Sequence, residues 1–86
     1  MKSIGFAVEH APNHVTAFYG RLISFLAQEL GSEFSLIRRS EYPKSVMQLD
    51  GKYRIVIFAT RGTAARFSKH ATRSKAFLID HGVVHS

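Results

Sequence analysis

Residues 53–63 read Tyr53-Arg54-Ile55-Val56-Ile57-Phe58-Ala59-Thr60-Arg61-Gly62-Thr63. The first eight are dominated by β-branched and aromatic side chains, which favour a pleated, packed surface. Ile55 to Ala59 is apolar without alternation, as suits a strand buried on both faces. Arg61-Gly62-Thr63 interrupts the run. From Ala64 to Thr72 the apolar residues Ala64, Phe67 and Ala71 recur at helical spacing, so a short helix follows. Lys75 to Ile79 is apolar again and supplies a further strand. A strand, a helix and a second strand in this order form a β-α-β unit, which implies parallel pairing.

The same alternation holds towards the amino terminus. Ser3 to Glu9 contains Ile4-Gly5-Phe6-Ala7-Val8, another short apolar strand. His10-Ala11-Pro12-Asn13 reads as a turn with Asn13 as N-cap. From His14 to Leu30 the residues Val15, Phe18, Tyr19, Leu22, Ile23, Leu26 and Leu30 form the apolar stripe of an amphipathic helix. Gly31 stands just past its end, where a left-handed residue commonly closes a helix. Glu33 to Arg39 alternates and reads as a second strand, ending in two arginines. Ser40 to Lys52 contains Pro43, one short helical turn around Val46 to Leu49, and a turn at Asp50-Gly51. The chain closes with Asp80-His81-Gly82-Val83-Val84-His85-Ser86.

The expected fold is therefore α/β: a small three-layer domain with a four-stranded, mostly parallel sheet and helices on both faces. The expected strand order is 2-1-3-4, and the whole of residues 1–86 is expected to form one domain.

Composition narrows the function. The 86 residues include twelve Lys and Arg against six Asp and Glu, a formal charge of +6. Cysteine is absent, which excludes disulfide staples, Cys-ligated zinc and thiol catalysis. Hydrophobic residues make up 45%, too many for intrinsic disorder. No apolar run approaches the ~18 residues of a membrane span, and Met1-Lys2-Ser3-Ile4-Gly5 does not open a secretory signal, so a cytoplasmic location is expected. The basic balance points to anionic partners.

Open parallel sheets bind ligands beyond the carboxyl ends of their strands, near the point where the winding direction changes. The residues expected there are His10, Asn13 and His14; Arg38 and Arg39; Arg61, Gly62 and Thr63; and Asp80, His81 and Gly82. Four of the five histidines (10, 14, 81 and 85) fall in, or within three residues of, the first and last of these segments. Arg61-Gly62-Thr63 opens a helix, so exposed N–H groups, the Thr63 hydroxyl and the Arg61 fork suit a phosphate. The same three residues also suit a plain strand-to-helix turn capped by Thr63. His10 suits a general base, with Asn13 and His14 donating to a ligand, or a solvated loop. His10/His14 and His81/His85 share an H-x-x-x-H spacing, but that spacing converges on one metal only within a helix, and no metal or cofactor is expected. Asp80 suits orientation of a catalytic His81, or the closing of a turn at Gly82.

Lys75-Ala76-Phe77-Leu78-Ile79-Asp80-His81-Gly82, with Glu9-His10-Ala11-Pro12-Asn13-His14 after the first strand, resembles the amino-terminal Rossmann-like half of GT-B glycosyltransferase-like enzymes, nearest the CDP-glycerol glycerophosphotransferases. The resemblance implies that His81 is a catalytic base with Gly82 beside it. In that family an aromatic residue usually precedes the His-Gly pair; here Asp80 does. The likeness covers short motifs only. A complete transferase of this type has a second Rossmann-like domain, so 86 residues are too few for the full reaction. The expectation is a half-domain that binds a phosphate-bearing ligand.

An alternative rests on Arg66, Lys69 and Arg73, which stripe the short helix beside His70. This stripe suits contact with nucleic-acid phosphates or an acidic protein surface. It would make the chain a basic interaction protein of phage or mobile-element type. Under either reading the open edges of so small a sheet suggest a homo-oligomer or docking on a larger partner.

Overall fold

The computed structural model describes residues 2–7, 12–80 and 83–85. Strand β1 spans Lys2–Ala7, helix α1 Pro12–Leu30, β2 Phe34–Ile37, β3 Tyr53–Phe58, α2 Arg61–His70, β4 Lys75–Asp80 and β5 Val83–His85. They form one sheet of order β2-β1-β3-β4-β5. The pairs β1–β2, β1–β3 and β3–β4 are parallel, so the four-stranded 2-1-3-4 arrangement stands at the heart of the fold. β5 is an addition to it. It pairs antiparallel with β4, Asp80 opposite Val83 and Leu78 opposite His85.

The runs without alternation explain the layers. Along β3, Val56 and Phe58 face one side of the sheet, and Ile57 faces the other. On the first side they join Ala7, Ile37, Leu78, Leu49 and the α2 residues Ala64 and Phe67 in one buried cluster. On the second, Phe6, Ile57 and Ile79 form a cluster against which Tyr19, Leu22 and Leu26 of α1 pack. Helices thus cover both faces. Aromatic pairs mark each contact: the rings of Phe58 and Phe67 lie 5.2 Å apart, and those of Phe6 and Tyr19 5.8 Å apart. Burying each such ring stabilises by about 1.5–3 kcal/mol. Gly5 lets the middle of the sheet close up, since a Cβ there would stand 2.8 Å from Ile37 Cδ1 and 3.0 Å from the Tyr53 ring.

Several boundaries differ from the sequence expectation. α1 begins at Pro12 and not His14, because proline's fixed φ suits the first helical position, where its missing N–H costs nothing. Asn13 therefore lies in the first turn and is not the cap. β2 stops at Ile37. Glu33 belongs to a 3₁₀ turn (Gly31–Glu33), and Arg39 opens another (Arg39–Glu41), so neither charged flank extends the strand. The 3₁₀ turn at Val46–Leu49 is where the sequence suggests it, with the Ser45 side chain accepting from the Met47 N–H. Gly31 and Gly51 carry φ of +54° and +89°, the left-handed region expected of a helix end and a tight turn.

Candidate functional site

The sheet register brings the strand ends level. Ala7 is opposite both Ile37 and Phe58, and Phe58 is opposite Leu78. Among the described residues, those that follow Ile37, Phe58 and Leu78 accordingly share one edge. The connections diverge between β1 and β3: β1 leads through α1 to β2 on one side, and β3 leads through α2 to β4 on the other. α1 starts at Pro12 and α2 at Arg61, so both helices begin at this edge, on opposite faces of the sheet. Their N-termini carry the positive ends of the helix dipoles.

Arg61-Gly62-Thr63 is not a loop. It is the first turn of α2, with Thr60 as the N-cap residue in extended conformation (φ −121°, ψ 123°). The Ala64 N–H donates to the Thr60 carbonyl at 3.0 Å, which starts the helix there. Capping by Thr63 is thus corrected, and Gly62 does not have a positive φ. Nothing stands within 4 Å of where a Gly62 Cβ would be, so the backbone of this turn is open to approach. Arg61 and Gly62 are exposed and Thr63 is half-buried. Arg61 also lies at one end of a groove of about 210 Å³ between α2 and β4, lined further by Ala64, Ala65, Ser68 and residues 76–78.

Arg38 is exposed beyond β2, with Nη1 3.5 Å from Glu41 Oε1. Arg39 follows it into the 3₁₀ turn. Asn13 and His14 lie in the first turn of α1. Asp80 is the last residue of β4, and its pairing with Val83 leaves only His81 and Gly82 to connect the two strands. His10, His81 and Gly82 themselves lie outside the described residues. The fold thus gathers the backbone positions of Arg38, Arg39, Arg61, Gly62, Thr63, Asn13, His14 and Asp80 along one edge. Of the stripe on α2, Arg66 and Lys69 are exposed on its outer face, and Arg73 lies at the other end of the sheet.

That other end holds a polar network that the sequence reading missed. Asp50 Oδ1 accepts from the N–H groups of Arg73 (2.9 Å) and Ser74 (2.8 Å). Its Oδ2 accepts from the Thr72 N–H (3.0 Å) and hydroxyl (3.3 Å). Ser74 Oγ donates to the Tyr53 carbonyl and accepts from the Gly51 N–H at 2.8 Å. These bonds, the Thr72 N–H foremost, stabilise the charged carboxylate and lower the Asp50 pKa from 3.8 to about 2. The network ties the turn before β3 to the loop before β4. In the sequence its only visible sign is Asp50-Gly51, a turn dipeptide whose partners lie more than twenty residues on.

No helix among the described residues is long and apolar enough to cross a membrane. Compared with known proteins, the chain matches no family model, no curated protein and no solved structure.

Proposed function

We propose that this domain binds a small phosphate-bearing anion at the carboxyl edge of its sheet. The observation that carries the reading is the switch point between β1 and β3, flanked by the N-termini of α1 and α2 on opposite faces. Unpaired N–H groups and aligned peptide dipoles at such ends favour negative charge. The exposed Arg61 and Gly62 in the first turn of α2 add a guanidinium fork and an open backbone. Arg38, exposed beside Glu41, and Arg39 next in sequence are further candidate ligand contacts at this edge.

In this proposal His81 is the candidate base, as in the transferase half-domains that the sequence resembles, with Asp80 orienting it, Gly82 leaving room beside it, and His10 as a second titratable group. Thr63, Asn13 and His14 are candidate donors to the ligand. The glycosyl- or glycerophosphotransferase-type origin belongs to the same proposal. So does self-association: β2 has a strand on only one side among the described residues, and such an edge is a template for pairing.

A thermal-shift screen of inorganic phosphate, nucleotides and nucleotide-sugars tests the reading. The expected result is stabilisation of the wild type that Arg61→Gln weakens about tenfold or more in affinity and His81→Ala abolishes. Stabilisation that survives both substitutions, or none with any phosphate compound, overturns it.

A further inference from the structure

We infer that the outer face of α2, continued by the amino end of the sheet, is a docking surface for the phosphate backbone of a double-stranded nucleic acid. Charge distribution is the first ground. From Gly51 to Ile79 the sequence holds Lys52, Arg54, Arg61, Arg66, Lys69, Arg73 and Lys75 and no Asp or Glu. Asp50 and Asp80 flank this stretch, and Asp50 is bound to the backbone N–H groups of residues 72–74. The salt bridge found among the described residues is Arg38–Glu41, at the opposite end of the sheet. Arg66 and Lys69 therefore present positive charge with no salt bridge to a carboxylate among the described residues, and Arg73 adds to it beside the single charge of Asp50.

Placement is the second ground. Ala64 and Phe67 turn inward to the core, and helical spacing sets Arg66 and Lys69 towards the opposite side of α2. Arg73 continues that line past the helix end, its side chain lying across Gly51 (Cδ 2.8 Å from where a Cβ would stand). Lys52 and Arg54, at the start of β3, are exposed as well, whereas Lys75 lies over the Phe77 ring on the α1 side of the sheet. Lys69 and His70 also complement the dipole at the carboxyl end of α2. That role does not reach Arg66, nor the basic residues on the strands.

The class of partner follows from what this face lacks. Protein interfaces draw their affinity from buried apolar and aromatic anchors, and single-stranded nucleic acids from aromatic rings on which bases stack. The large hydrophobic side chain exposed among the described residues is Phe25, on α1 at the other face of the sheet. A charged face without anchors or stacking rings suits a regular array of phosphates whose bases stay paired. This surface is separate from the carboxyl edge, so the two proposals stand or fall independently.

Fluorescence anisotropy with labelled duplexes of ~24 base pairs, DNA and RNA, and with the matching single strands, tests it. With three phosphate contacts, affinity should fall about 40-fold between ~50 and ~200 mM salt. Duplexes should bind more tightly than single strands. Arg66→Gln, Lys69→Gln and Arg73→Gln combined should reduce the salt dependence to under ~3-fold. Arg21→Gln with Lys44→Gln, which removes exposed charge elsewhere, should leave binding within ~2-fold. Tighter binding of single strands, an unchanged salt slope in the triple variant, an equal loss in the control, or no binding by either duplex would each overturn the inference. A single-strand preference would indicate stacking, and an equal loss in the control would indicate net charge alone.

Discussion

The two ends of the sheet are built differently. At the amino ends of the strands, side chains are stitched to backbone: Asp50 holds three successive N–H groups and Ser74 bridges Gly51 and Tyr53, while between side chains Ser3 Oγ donates to Glu33 Oε2 at 2.8 Å. At the carboxyl ends, the described residues present an exposed arginine in the first turn of α2, an exposed Arg38–Glu41 pair and two helix N-termini. The first end uses its polar groups to hold the fold. In open parallel sheets ligands bind beyond the carboxyl ends of the strands, which leaves the amino ends to carry bonds that hold the fold.

The comparison is broken most forcefully at Asp50. Asp50→Ala leaves the N–H groups of Thr72, Arg73 and Ser74 without their acceptor, and the melting temperature should fall by several degrees or more. Phosphate binding by the folded fraction should not change. If calorimetry finds an unaltered melting temperature, the amino end is not the structural end.

Acid titration sharpens the same point. The folded Asp50 pKa lies near 2, below its ordinary 3.8. Its stabilisation is fully present above pH 3.8 and is lost as the pH falls towards 2. Asp50→Asn should flatten the melting temperature in that window relative to wild type. Parallel curves for the two proteins would mean that the carboxylate charge does not matter.

Gly51→Ala should cost about 1–2 kcal/mol, the strain of a non-glycine residue in the left-handed region, because Gly51 has φ +89°. Urea denaturation would measure it. Gly62→Ala, where the added methyl meets nothing within 4 Å, should leave stability unchanged or raise it by about 0.4–1 kcal/mol. Equal losses at both glycines would erase the contrast between the ends.

The smallest stability effects belong to the carboxyl end. Arg61→Gln should change stability by no more than ~0.5 kcal/mol, as surface substitutions usually do, yet weaken phosphate binding about tenfold or more, the loss of one charge-assisted hydrogen bond. Glu41→Gln removes only an exposed ion pair, worth about 0–1 kcal/mol. It should leave stability nearly unchanged and, by releasing Arg38, strengthen anion binding slightly in calorimetric titration.

The parallel order was legible because Ile55–Phe58 and Phe77–Ile79 are apolar without alternation, a pattern that only a doubly covered sheet rewards. The start of α2 was not. Arg61-Gly62-Thr63 looks like a turn since glycine and threonine are poor helix formers, but first-turn residues make few intrahelical bonds, so Thr60 can begin the helix before them. Pro12 misled in the same way at α1. The three residues of β5 carry no pattern of their own, and their pairing with Leu78–Asp80 is visible only in the fold. The Asp50 network was illegible because its partners meet through tertiary approach of two turns. For the candidate site, topology alone placed Arg38, Arg61 and Asp80 at one edge, whereas the engagement of Arg38 by Glu41 needed coordinates.

The central claim is that small phosphate-bearing anions bind at the carboxyl edge. The most direct test is an amide chemical-shift titration with pyrophosphate. The account predicts saturable shifts at residues 12–14, 38–39, 59–63 and 80–82, with Asp50 and residues 72–74 unmoved. Shifts confined to residues 50–52 and 66–75, or no saturable shift anywhere, would contradict it.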